Sequence, residues 1–179
     1  GVELDSECLV GHRMFGVVAD GHADLAIIAD KQRDALRFFA PPFHVIDGRP
    51  VKQVLPDDDF RAAAGIIASP RQIAAFDIAF DAGALIPPVM IRELVEAEIS
   101  PLGDYRRGWW LEDWQGQRLM WHSGWNEKKG SALYLKVPDK HITLIVLANT
   151  EAIWWGNSLV KAEVAESSIA RRFLEQFAS

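Results

Sequence analysis

Trp121-His122-Ser123-Gly124-Trp125 is the stretch of this sequence best equipped for chemistry. An imidazole titrates near neutral pH, so His122 can take or give a proton. Ser123 sets a hydroxyl beside it. Gly124 has no Cβ, which lets the backbone approach a ligand closely. The Trp125 backbone N–H, on an exposed edge, could point at a developing oxyanion. A second reading stays open: a histidine packed among aromatic rings at a strand end needs no substrate. Other residues offer less. His12 and His22 lack a third ligand nearby, so no metal site is expected. His44 and His141 read as surface or strand-end residues, and Asp57-Asp58-Asp59 as a solvated loop. Glu112 and Asp113 carry no feature that marks an acid–base pair. Trp154 and Trp155 read as a cover for the sheet edge as readily as a stacking platform.

These residues need elements to hold them. Ser69-Pro70-Arg71-Gln72 is a helix start: the serine caps, the proline takes the first helical position, and the glutamine bonds back. Ile73, Phe76 and Phe80 follow at helical spacing, and Gly83 ends the run. Pro87 and Pro88 open a second helix with Ile91, Leu94 and Val95 on its apolar face. After Pro101 the period becomes that of strands. Gly108 to Asp113 and Arg118 to Ser123 pair through a Gln115-Gly116 turn. Ser131 to Val137 and Ile142 to Asn149 pair through Pro138-Asp139-Lys140. The last strand is nearly all apolar, which predicts cover on both faces. Asn157 to Phe177 reads as a closing helix with Val160, Val164, Phe173, Leu174 and Phe177 inward. Earlier in the chain, His22 to Phe39 reads as a helix, and Ala40 to Asp59 as loop with one short strand at Phe43 to Ile46. The fold class is therefore α+β. Residues 1–60 form a weakly patterned N-terminal segment, 61–100 a helical segment and 101–179 an antiparallel sheet with its closing helix, all within one structural unit.

Composition narrows the classes. The chain has 179 residues, 49% hydrophobic and 25% charged, with net charge −6: globular, with no disorder signature. An acidic chain without a dense basic stretch is a poor nucleic-acid binder. Arg106, Arg107, Lys128 and Lys129, the one mildly basic region, read as solvated surface. The single cysteine, Cys8, excludes an internal disulfide. No apolar run approaches the ~18 residues of a membrane span. Glu3, Asp5 and Glu7 stand where a signal peptide carries basic residues, so no export signal is read, and periplasm and cytoplasm both stay open. Five of the seven tryptophans crowd into Trp109 to Trp125.

The order of motifs adds more. Ala64-Gly65-Ile66-Ile67-Ala68-Ser69-Pro70 leads into a helix, and Gly108-Trp109 follows after a second. Then come His122-Ser123-Gly124, Ser131 to Val137, Pro138-Asp139-Lys140, and Ile142 to Asn149-Thr150. Over roughly residues 38–179 this resembles the C-terminal half of the serine β-lactamase and penicillin-binding-protein-like family, in its class C-like and esterase-like branch. The resemblance implies part of a β-lactamase-like fold and acyl transfer on an ester, amide or peptide bond, with a small-molecule or peptide substrate and no cofactor. It implies that His122 and Ser123 contact the substrate or the proton network. It also implies that Gly124 and Trp125 bind substrate, the Trp125 N–H forming half of the oxyanion hole. His122 in place of a lysine, and the bulk of Trp125, depart from β-lactamase proper.

The family's Ser-x-x-Lys nucleophile and Tyr-x-Asn motif lie N-terminal to everything matched. Tyr105 and Tyr134 are followed two positions on by Arg107 and Lys136, so neither begins Tyr-x-Asn. The one Ser-x-x-Lys, Ser158-Leu159-Val160-Lys161, stands at the wrong end of the chain and reads as a cap with a surface lysine. Alone, the chain is expected to be catalytically silent, a lobe whose Ser and Lys come from a missing segment or another chain. The apolar edge of Ile142 to Asn149 would then invite that segment or a second copy. The competing expectation is a non-catalytic binding module with the tryptophan cluster as its surface.

Overall fold

Ser69 sets the first helix as the sequence dictates. In the computed structural model, which describes residues 40–54, 68–99, 104–127, 130–156 and 159–179, its Oγ accepts from the Gln72 N–H at 3.3 Å. Gln72 Oε1 accepts from the Ser69 N–H at 2.8 Å, completing the capping box of α1 (Pro70–Asp81). Gly83 follows at φ +69°, and a Cβ there would lie 2.6 Å from Pro88 Cγ, so the tight link to α2 (Pro88–Val95) requires glycine. The helix expected over His22 to Phe39 lies outside the described residues.

β1 (Phe43–Ile46) is the expected short strand, and it pairs antiparallel with β2 (Arg49–Lys52), which was not expected. β2 carries a proline and is exposed throughout, so it shows no period-2 pattern. The main sheet is an antiparallel meander of β3 (Tyr105–Arg106), β4 (Trp109–Trp114), β5 (Gln117–Asn126), β6 (Gly130–Val137) and β7 (Ile142–Ala148). Gln115 and Gly116 turn between β4 and β5 at φ 49° and 79°, the left-handed pair a two-residue hairpin needs. With α1 and α2 before this sheet, the α+β class stands.

Both faces of the sheet are covered. On one, Leu119, Trp121, Leu133, Leu135 and Val137 are buried with Val164, Ala170 and Leu174 of the C-terminal tail. Trp110 stacks on Trp121 there at 5.7 Å. On the other, Leu111 and Met120 are buried with Phe80 of α1 and Leu94 of α2. Double cover explains why Leu119, Met120 and Trp121 are consecutive and all buried. Removing the Trp121 side chain would cost about 3–5 kcal/mol in transfer and cavity energy.

One expectation is corrected. The tail is not one helix from Asn157. A 3₁₀ turn at Leu159–Lys161, Ala162 at φ 57° and a second 3₁₀ turn at Val164–Glu166 precede α4 (Ser168–Phe177). A residue in the left-handed region interrupts an α-helix, and Ser167 restarts it by capping the Ala170 N–H. Val164 and Leu174 are buried as expected, but Phe177 is exposed. β7 has the expected cover on both faces, from α1 and from α4, but is mostly half-buried, with Leu147 exposed. It is the outer strand of the meander, and among the described residues its strand partner is β6. The Phe43 N–H donates to the Asn149 carbonyl at 2.7 Å, tying β1 to the end of β7.

Candidate functional site

Register assigns the motif residues to faces. Met120↔Lys136 through Asn126↔Gly130 pair without a bulge, so side chains alternate strictly along β5. His122 and Gly124 share the face turned toward α1 and α2, while Ser123 and Trp125 share the opposite face with buried Trp121. Neighbours in sequence thus leave β5 on opposite faces. The ladder from β4 ends at Trp110↔Trp121, so His122 begins the part of β5 that runs past β4.

His122 Nε2 lies 3.1 Å from the Tyr105 hydroxyl, contributed by β3 across the end of β4. The two rings sit 5.8 Å apart, and Tyr105 also packs on Trp110 at 4.9 Å. Partial burial pulls the basicity of His122 below its ordinary value of 6.5, and a backbone hydrogen bond at Ser123 opposes that only in part. The imidazole is therefore mostly neutral at pH 7. A neutral ring that donates to the Ser123 backbone uses Nε2 to accept the Tyr105 proton. Beside it, a Cβ built on Gly124 would meet no heavy atom within 4 Å, so the backbone here borders open space. Trp125 is 40% exposed, stacked on Trp154 of α3 (Ala152–Gly156) at 6.5 Å.

Other sequence candidates are used in packing. Glu112 accepts from the Val164 and Ala165 N–H groups at 2.8 and 3.3 Å, fastening the tail to β4. Asp113 pairs with Arg118 at 2.6 Å, and Arg118 also donates to the Val95 and Ala97 carbonyls, holding the end of α2. Arg106 donates to the Glu98 carbonyl and Arg107 faces Glu93. His44 Nδ1 lies 2.9 Å from a Glu151 oxygen. His12, His22, Asp57-Asp58-Asp59, Lys128, Lys129 and Ser158 lie outside the described residues. Among the described residues, no three His, Cys, Asp or Glu side chains gather as metal ligands would.

One polar cluster escaped sequence reasoning. Lys136, only 3% exposed, sits 2.7 Å from both Asp77 and Asp81 of α1. Its ammonium also reaches Thr143 Oγ1 at 3.2 Å, and Thr143 donates to Asp77 at 2.8 Å. The Tyr134 hydroxyl donates to Asp77 as well. Burial, then the Asp77 contact, push the Tyr134 hydroxyl far above the ordinary phenol range, so it stays a donor. The available signal was Asp77 and Asp81 one helical turn apart beside Phe76 and Phe80, with Tyr134 and Lys136 on one strand face.

Compared with known proteins, the chain matches no protein-family model, no curated protein and no solved structure.

Proposed function

We propose that this chain is the C-terminal portion of a β-lactamase-like serine hydrolase that acts by acyl transfer on an ester, amide or peptide bond. In this reading the nucleophilic serine and its lysine lie in sequence beyond these residues. The Tyr105–His122 pair, with a neutral ring beside open backbone at Gly124, carries the reading. A neutral imidazole can pass a proton or accept a hydrogen bond in a transition state, which a permanently charged lysine does less readily. The serine oxygen would attack the carbonyl carbon, and the C=O electron pair would move onto oxygen. The Trp125 N–H would stabilise that oxyanion. The bond from the carbonyl carbon to the leaving group would break as the carbonyl re-forms, and the leaving group would take the proton given up by the serine hydroxyl. Ser123, on the far face of β5, serves through its backbone and not as nucleophile.

The alternative of a non-catalytic binding module rests on the tryptophan cluster, and the packing gives it less support. Trp109, Trp110, Trp114 and Trp121 are half-buried or buried, which leaves Trp125 as the exposed member. The reading frame upstream of Gly1 separates the two. Ser-x-x-Lys followed by Tyr-x-Asn there supports the hydrolase; a translation start adjacent to Gly1 removes it.

A further inference from the structure

A cleft of about 210 Å³ opens between the last turn of α1, α2 and the β6 end of the sheet. Phe80, Ile91 and Met120 give it an apolar floor, and Asp81, Lys136 and His141 its polar lining. The ammonium of Lys136 has three protons, and Asp77, Asp81 and Thr143 take them at 2.7, 2.7 and 3.2 Å. It has none left for an anionic ligand. Asp81 spends Oδ2 on Lys136 and is 39% exposed, which leaves Oδ1 to a ligand. Two carboxylates against one ammonium leave the cluster net negative. Asp81 is also the last residue of α1, where the helix dipole adds negative potential.

We infer that this cleft binds a small amphipathic amine, with its apolar body on the floor and its ammonium on Asp81. An anion would meet net negative charge. A neutral alcohol of the same shape would desolvate the Asp81 carboxylate and return one hydrogen bond but no opposite charge. The inference is independent of the acyl-transfer reading, since the cleft contains neither His122 nor Tyr105.

Methyl NMR of Ile91 and Met120 tests it, with phenethylamine, 2-phenylethanol and 3-phenylpropionate as matched probes. Phenethylamine should give saturable shifts at both methyls, and 2-phenylethanol should bind at least about tenfold more weakly. 3-Phenylpropionate should give none. Asp81→Asn should bring the amine down to the alcohol. Ile91→Trp, which fills the floor and leaves the carboxylate, should abolish binding with an unchanged circular dichroism spectrum. Equal affinity for amine and alcohol, undiminished amine binding by Ile91→Trp, or no saturable shift at these methyls overturns the inference.

Discussion

His122 is the residue on which the hydrolase reading turns, and its protonation is open to measurement. A histidine whose basicity is lowered by folding takes up its proton later in the folded state than in the unfolded one. Its contribution to stability is complete above pH 6.5 and is lost as the pH falls through the lowered value. NMR titration should place the His122 midpoint below 6.5. Tyr105→Phe removes a donor that favours the neutral ring, so the midpoint should move up. A midpoint unmoved by that change would mean the 3.1 Å contact does not orient the imidazole. The His122 motif was legible because its residues are contiguous. The Lys136 cluster was not, because Asp77 and Lys136 stand 59 positions apart and each alone resembles a surface charge. Lys136→Ala should cost about 3–5 kcal/mol in denaturant unfolding, since it leaves the mostly buried Asp77 without its ammonium.

Elements with local signals were readable, and those fixed by tertiary contacts were not. The Ser69 capping box, the Gln115-Gly116 turn and the strands on either side of it lie in short windows of sequence. β2 and the two-residue β3 have no periodicity long enough to see. The tail misled because Val160, Val164 and Leu174 fit a helical spacing, while the break at Ala162 depends on docking. Glu112 is part of that docking, and it predicts a pH dependence. Burial raises its basicity above the ordinary 4.5, although the Val164 and Ala165 N–H groups pull the other way. A carboxyl with a raised value contributes most below pH 4.5, and the contribution fades as the pH rises through the folded-state value. Denaturation at a series of pH values should therefore show wild type losing stability relative to Glu112→Gln as the pH rises. Wild type gaining stability relative to Glu112→Gln as the pH rises would contradict this.

At the scale of the molecule, helices and tail cover both faces of one antiparallel sheet, and His122 stands where β5 runs past β4. Among the described residues no helix is long and apolar enough to cross a membrane. The tryptophans, read first as one patch, divide between the two faces: Trp109 meets Phe80 and Tyr134, while Trp110 stacks on Trp121. A linear cluster becomes packing once strand alternation sends neighbours to opposite sides. The central claim is that this sheet serves an acyl-transfer site whose nucleophile lies elsewhere in the parent protein. Intact-mass analysis after exposure to a fluorophosphonate tests it most directly, on the product of the whole reading frame and on this chain alone. The account predicts one adduct on a serine upstream of Gly1, slower labelling in the His122→Ala form, and no adduct on this chain alone. An adduct on Ser158 or Ser123, or no adduct on either protein, would contradict it.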